Sequence, residues 1–479
     1  MKVLLVNPPK VEGLSVIRED RCEITDQVTN LPPYSLLQMA ALLREKSHEV
    51  SLIDANGTNL SYEKLTQKMS NLSFDALIFR FTPTTFREDM HVAKISKSIS
   101  KDIVAIGLCW TLKSFARKII NDINELDFYI TGDYITTVPN LINSINDKKD
   151  LKKTYGIVGK INGQIIETEN KHLEYDLNDL PLPAYDLLPT LKNYFANTRH
   201  ASPYTIIYSS KGCPYKCIYC TVAETEWLGR SAENVLKEIR YLKKEYDLKS
   251  LTFFDETFTY DRNRVIEICN KLIEEKISII WYCNTRSNKI DLDLLKLMKR
   301  AGCRGISLGI ESGSQKILNN AKKGITVEQN EKAIAAAKAA GIKTYCSFMF
   351  GLPGETEQTA QETIEFIKKN LPNGAQFNVV VPYPNTKLFN LAVEKGWISP
   401  QIDWTKLYQH ISNMKIDGIN SEELEMLRKK AYKSLYFNPG WIIMNVAWVL
   451  REPRDLTIGI KYYLKSMKNY ILHDMEHAH

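Results

Sequence analysis

No stretch of the 479-residue sequence approaches ~18 consecutive apolar residues, so no helix is expected to cross a bilayer. Excess charge is small: 63 Lys and Arg face 56 Asp and Glu, a net +7. Such a balance tolerates an anionic surface and does not call for nucleic acid as a partner. There is no disulfide framework either. Six of the nine cysteines (Cys22, Cys109, Cys269, Cys283, Cys303 and Cys346) scatter without pairing, which suits a reducing, cytoplasmic setting. The opening MKVLLVNPP has neither a basic leader nor a small-residue cleavage site. What is present is the composition of a soluble globular protein, 44% hydrophobic and 25% charged, at a length that suggests more than one domain.

From residue 1 to 146 apolar strands alternate with amphipathic helices. The strands are KVLLVN (2–7), EVSLIDA (49–55), DALIFRF (75–81), DIVAIG (102–107) and DFYITG (127–132). Alternation of this kind predicts a doubly wound parallel sheet, flavodoxin-like, with any ligand outside the carboxyl ends of its strands. Residues 147–201 read as a linker. It carries Asn162-Gly163 between two β-prone runs, a hairpin signal, and then DLNDLPLPAYDLLP (176–189), an extended strap. Six further strand-like runs in 202–396, each preceding a helical pattern, predict a partial (β/α)6 TIM-like barrel: YTIIYSS, SLTFFDE, ISIIWYC, RGISLGI, KTYCSFMF and AQFNVVV. Residues 397–479 are expected to form a mainly helical tail. The whole chain is thus an α/β protein.

Chemistry concentrates in KGCPYKCIYCT (211–221), where Cys213, Cys217 and Cys220 stand in C-x3-C-x2-C spacing at the end of the first barrel strand. A [4Fe–4S] cluster ordinarily takes four cysteines; three leave one iron with an open, reactive position. A zinc knuckle is the bland reading, but zinc wants a fourth Cys or His with its own spacing, and none follows nearby. Further stretches follow the later strands. Asp255-Glu256-Thr257-Phe258 offers carboxylates for an ammonium group. Asn284 and Arg286 offer amide and guanidinium donors, and Glu311-Ser312-Gly313 a carboxylate and a hydroxyl. In Gly351-Leu352-Pro353-Gly354 the glycines admit close backbone approach to a ligand. Pro382-Tyr383-Pro384-Asn385-Thr386 places Asn where a positive dihedral is needed.

The cysteine spacing, with Tyr219 before the last cysteine, resembles the radical S-adenosylmethionine (radical SAM) superfamily, and the later stretches match its positions in order. The resemblance implies a [4Fe–4S] cluster on Cys213, Cys217 and Cys220, with SAM chelated on the open iron and cleaved reductively to a 5′-deoxyadenosyl radical. It also implies SAM contacts from Glu256 and Asp255 to the methionine amino group, from Glu311 or Ser312 to carboxylate and ribose, and from the Gly351–Pro353 loop on the adenine side. The first domain resembles the cobalamin-binding domain that precedes many such cores. That likeness rests on Asn7-Pro8-Pro9, Asp54, Gly107 to Trp110, and Gly132. It implies cobalamin held without a lower histidine, since D-x-H-x-x-G is missing; two positions depart from the family pattern, Trp110 in the Gly-Gly-x-His loop and Tyr134 in place of an acidic residue.

The activity implied is functionalisation of an unactivated carbon, by cobalamin-dependent C-methylation. The alternatives are a radical SAM cyclase or rearrangement enzyme without methyl transfer and, from another class, a non-catalytic Fe–S electron-transfer protein. No second cysteine triad supports a methylthiotransferase. Expected partners are a small-molecule or lipid-like substrate and an electron donor, either a reductase or a ferredoxin or flavodoxin. The tail interleaves aromatics with basic residues, with Trp441, Met444 and Trp448 on one side, and is expected to touch an anionic membrane surface peripherally. The competing reading of the tail is a helical cap on the barrel. His473, His477 and His479 read as a frayed end.

Overall fold

The first sheet is built where the apolar runs predict it. In the computed structural model, which describes residues 1–451 except 20–22, 25–28, 162, 172–173, 197–200 and 410–413, its parallel strands are β1 (Lys2–Asn7), β2 (Glu49–Asp54), β3 (Ala76–Arg80), β4 (Val104–Leu108) and β5 (Phe128–Ile130). They lie in the order β2-β1-β3-β4-β5, so the strand order reverses between β1 and β3. Helices α1 (Tyr34–Glu45), α2 (Tyr62–Ser70), α3 (His91–Ile99), α4 (Ala116–Asp122) and α5 (Tyr134–Asn146) connect and cover them. Alternate residues of each strand face opposite sides. Leu4, Val6, Leu77 and Phe79 join one apolar cluster, and Val3, Leu5, Ala76 and Ile78 the other.

The hairpin continues this sheet. β6 (Ile157–Ile161) pairs antiparallel with β5, and β7 (Gln164–Glu167) pairs with β6 in a register that closes Ile161 against Gln164. Residues expected as linker therefore contribute two strands; Asn162 itself lies outside the described residues. The Pro-rich strap is also anchored. Gln38 donates to the Pro181 carbonyl at 3.0 Å and the Ala184 N–H to Leu37 O at 3.1 Å, while Tyr185 is fully buried.

The second sheet holds β8 (Tyr204–Ile207), β9 (Ser250–Phe253), β10 (Ile280–Thr285), β11 (Cys303–Glu311), β12 (Lys343–Phe350) and β13 (Gly374–Val379). They pair in parallel in sequence order, and among the described residues β8 and β13 do not close on each other: a partial barrel. Its helices are α6 (Ala232–Tyr246), α7 (Arg262–Glu274), α8 (Leu292–Arg300), α9 (Gln315–Asn320), α10 (Val327–Ala339), α11 (Glu357–Asn370) and α12 (Lys387–Glu394). Side-chain caps and a glycine of positive φ mark the ends of these helices. Ser231 accepts from Asn234 N, Thr356 from Thr359 N, and Gly341 follows α10 at φ +67°. Asn385 takes φ +71°, as the turn requires.

The tail closes the open edge as far as it is described. An edge strand leaves alternate backbone groups unpaired, and α13 (Ser421–Tyr436) supplies partners for those of β13. The Tyr436 hydroxyl accepts from Ala375 N at 3.0 Å and donates to Ala375 O at 2.8 Å. Arg428 Nε donates to Phe377 O at 2.8 Å, and Val379 N donates to Gln409 O at 2.8 Å. In α14 (Pro439–Arg451) the expected membrane-facing side is corrected. Trp441 is 6% exposed, its Nε1 donating to Pro372 O at 3.0 Å, and Trp448 sits under the ammonium groups of Lys299 and Lys343. The exposed apolar residues are instead Ile442, Ile443 and Val446. Among the described residues no helix is long and apolar enough to cross a membrane. His473, His477, His479 and most of the basic segment lie outside those residues, as does Cys22.

Candidate functional site

The three cysteines leave the carboxyl end of β8 on a loop held from several sides. Gly212 adopts φ +87°, and a β-carbon there would lie 1.8 Å from Glu226 O, so only glycine fits. Cys213 N donates to Thr225 Oγ1 at 2.9 Å, Cys220 N to Cys217 O at 3.2 Å, and Ile218 N to Ala321 O at 3.1 Å. The base of the loop is braced by Asp255, which is fully buried. One oxygen accepts from Ser209 N and Ser210 N at 2.7 and 3.2 Å, the other from their hydroxyls at 2.5 and 3.0 Å. Burial raises the Asp255 carboxyl above its ordinary value against the lowering pull of Arg264 and Ser209. Asp255 thus faces the loop, and its neighbour Glu256 faces the cavity described below.

The sulfurs fit a cluster better than a single ion. Among the described residues no three Cys, His, Asp or Glu side chains converge on one metal position, whereas in a cube each cysteine binds its own iron. The donor set also wants positive charge. Burial first, then the neighbouring thiolates, push the Cys220 thiol up to about 12, and burial likewise raises Cys213.

Cations stand beside these sulfurs. Arg286 NH1 lies 3.7 Å from Cys217 Sγ, and its guanidinium carbon lies 3.6 Å from the centroid of the Tyr215 ring. Lys323 pairs with Glu311 at 2.7 Å and reaches the Tyr219 hydroxyl at 3.3 Å. Glu311 holds φ +66° at an irregularity in the β11–β12 pairing, a conformation costing roughly 1–3 kcal/mol for such a residue. Its Oε2 is buried with no hydrogen-bond partner, as are Tyr215 OH, Arg286 Nε and Ser287 Oγ. Orphaned polar atoms gathered at strand ends are what a polar ligand over the cluster would satisfy.

The remaining predicted barrel residues divide. Gly351 and Gly354 take φ +86° and +84°, and the Pro353 carbonyl accepts from Asn320 at 2.8 Å. Asn284 Nδ2 donates to Asp255 O at 3.1 Å. Ser312, fully buried, bonds Thr363 Oγ1 at 3.0 Å and caps Ser314 N, so its hydroxyl serves the packing of α11.

A cavity of about 500 Å³ lies where the carboxyl ends of the two sheets face each other. Its walls carry Leu108, Cys109 and Trp110 after β4, Thr131 to Ile135 after β5, Tyr34 and Gln38 of α1, Pro181 and Pro183 of the strap, and Lys211, Gly212 and Glu256 from the barrel. Among the described residues no histidine lines it. Two contacts tie its halves together. Trp110 Nε1 donates to Thr221 O at 2.9 Å, one residue beyond Cys220. Lys211 pairs with Asp133 at 2.5 Å, and Tyr175 donates to the same carboxylate at 2.6 Å. Burial works to raise the Asp133 carboxyl, but Lys211's charge and hydrogen bond, with Tyr175, hold it below the usual carboxylate range.

Of the residues predicted in the first domain, Trp110 and Gly132 line this cavity; Asn7, Pro8, Pro9 and Asp54 do not. Arg18 gathers the Pro8 and Pro9 carbonyls at 3.0 Å each, while Asp54 accepts from Asn7 at 2.8 Å and from Tyr194 at 2.6 Å. Gly107 packs against Phe81 and Leu126. Sequence reasoning missed Arg80, Lys113, Tyr175 and Lys211 on the walls. A charge inside the apolar run DALIFRF was the available sign for Arg80.

Residues 207–367 match the radical SAM superfamily, a span that holds the cysteine loop and the ends of β9 to β12. These residues form a radical SAM domain. The chain is an enzyme carrying that domain, which removes the reading as a passive electron carrier. Over 449 residues it is 29% identical to an uncharacterised methyltransferase from Pyrococcus horikoshii, covering 93% of this chain and 95% of that one. It is 26% identical to the anaerobic magnesium-protoporphyrin IX monomethyl ester cyclase of Rubrivivax gelatinosus, over 97% of this chain and 83% of that one. Its fold matches OxsB, a cobalamin-dependent S-adenosylmethionine radical enzyme solved with aqua-cobalamin and S-adenosylmethionine bound. The TM-score is 0.71 at 15% identity, covering 99% of this chain and 76% of that one.

Proposed function

We propose that the enzyme is a cobalamin-dependent radical SAM C-methyltransferase. The observation that carries the reading is the shared cavity, with Lys211 and Gly212, which lead into the cysteine loop, and Val222, which leaves it, on one wall and the ends of β4 and β5 on the other. A [4Fe–4S] cluster on Cys213, Cys217 and Cys220 would supply the electron that cleaves SAM, and cobalamin in the cavity would carry the methyl group. The chain's own residues bind, orient and shield. Glu256 takes the methionine ammonium. Glu311 Oε2 accepts from a ribose hydroxyl, its Oε1 being held by Lys323. The Gly351–Pro353 turn backs the adenine. Trp110 and Tyr134 supply ring faces to the cavity wall, with the ammonium groups of Lys113 and Lys211 over them, and the indole N–H of Trp110, a donor only, would offer cobalt no ligand. Strap and loop together exclude water from the reacting atoms.

Equilibrium dialysis of folded protein against hydroxocobalamin tests the reading: about one bound per chain is expected, and none retained overturns it. A second reading, cyclisation without methyl transfer, draws support from the cyclase relative. Turnover with SAM bearing a trideuterated methyl separates the two, since only methyl transfer carries the label into product. For the substrate we infer a lipid-like molecule met at an anionic membrane surface, supported by the exposed Ile442, Ile443 and Val446 of α14. Cosedimentation with anionic liposomes at low and high salt is the test, and absence of binding at low salt ends it.

A further inference from the structure

Arg286 offers guanidinium donors that would suit the carboxylate or ribose hydroxyls of SAM, yet they point elsewhere. NH1 is directed at Cys217 Sγ at 3.7 Å, and NH2 donates to the Lys323 carbonyl. The guanidinium lies on the Tyr215 ring, 3.6 Å from its centroid. The residue is 6% exposed. A buried guanidinium requires a counter-charge, and among the described residues no carboxylate pairs with it. Glu311, linked to it through Lys323, is itself paired with the Lys323 ammonium at 2.7 Å. The group its NH1 faces is the Cys217 sulfur, which as a cluster ligand would be a thiolate. Stack, carbonyl and sulfur together stop the guanidinium plane from turning away.

We infer that Arg286 is a positioning residue for the cluster's redox poise: it holds a fixed positive charge against Cys217 and raises the cluster's reduction potential. The inference rests on the cluster assignment above. With three thiolates a [4Fe–4S]2+ core carries a net charge of −1, and one electron from a low-potential donor such as reduced flavodoxin or ferredoxin makes it −2. No bond breaks and no proton moves. In a low-dielectric setting the cation stabilises the doubly negative form more than the singly negative one. Charge and hydrogen bonds at the sulfurs are among the levers that set such potentials. A cation here therefore brings the cluster within reach of its donor.

The test is a potentiometric titration of reconstituted full-length enzyme, followed by electron paramagnetic resonance, without SAM and then with it. Arg286→Gln is expected to lower the equilibrium constant for reduction about tenfold in the absence of SAM, ~59 mV more negative for one electron. Arg286→Lys, which keeps the charge, should stay closer to wild type. A wild-type midpoint in Arg286→Gln without SAM overturns the inference, most clearly if SAM binding is what weakens, for then the side chain serves the ligand. If folded Arg286→Gln retains no iron, Arg286→Lys decides. Full iron with a near-wild-type midpoint supports the need for charge at this place. Loss of iron there too makes shape the requirement and overturns the inference. Failure of wild-type protein to take up iron would instead sink the cluster assignment itself.

Discussion

The indole of Trp110 donates to the carbonyl of Thr221 at 2.9 Å, so the end of β4 in the first sheet is bonded one residue from the last cysteine of the barrel loop. Two folding units thereby share one hydrogen bond at the place where their ligands would meet. Replacing Trp110 with Phe keeps a ring in the cavity wall and deletes the donor. The expected cost is about 1 kcal/mol, read as a lower urea midpoint of the metal-free protein.

A second tie is the ion pair of Lys211 and Asp133, whose side chains are 34% and 25% exposed. That exposure limits its worth to about 1 kcal/mol. Asp133 also caps α5, and Asn preserves the cap. Asp133→Asn should therefore destabilise the protein by about that amount at pH 7. Because the folded carboxyl is held below its ordinary range, the pair's contribution is present above that range and fades as pH falls through it. Urea melts at pH 7 and in acid check both statements.

The edge of the barrel gives a sharper mutation. Tyr436→Phe removes the hydroxyl that serves both Ala375 N and Ala375 O. Stranding buried backbone groups costs about 1–3 kcal/mol, so this single-atom change should lower the denaturation midpoint more than Trp110→Phe does.

Glu355 supplies a pH signature. Burial pushes its carboxyl from 4.5 up to about 7, and Thr359 Oγ1 donates to it at 2.6 Å. The folded chain keeps a proton there that the unfolded chain releases near 4.5. Between roughly pH 4.5 and 7 the native state binds more protons, so stability falls as pH rises. Glu355→Gln should remove that slope. Its advantage over wild type grows by up to about 1.4 kcal/mol per pH unit across the window. Parallel pH-dependent profiles for the two proteins would contradict the assignment.

In the first sheet β1 was legible because a parallel strand buried on both faces reads as a continuous apolar run, KVLLVN; in the second, KTYCSFMF coincides with β12 and alternates half-buried with buried positions, a period of two. Boundaries slipped where side chains intervene. α5 begins at Tyr134 because the Asp133 side chain caps it, and Pro139, which reads as a break, sits inside it. The hairpin's place in the first sheet could not be read, since pairing with Phe128–Ile130 is a long-range choice that local pattern does not encode. The site was legible in the same unequal way. Cys213, Cys217 and Cys220 declare themselves by spacing, and Asn385 by its turn. That Asp255 braces Ser209 and Ser210, or that Ser312 serves α11, depends on which way a side chain turns. Trp441 shows the limit most plainly: an aromatic beside basic residues suggests an interface, but its N–H finds Pro372 inside the protein.

The central claim is that the three-cysteine loop carries a cluster able to cleave SAM. Its most direct test is 5′-deoxyadenosine formed by anaerobically reconstituted enzyme after reduction with SAM, measured beside the triple Cys213→Ala, Cys217→Ala, Cys220→Ala variant. Wild type should form it and hold about four irons per chain, and the variant should do neither. No 5′-deoxyadenosine from iron-loaded wild type, or retention of the irons by the variant, would contradict the account.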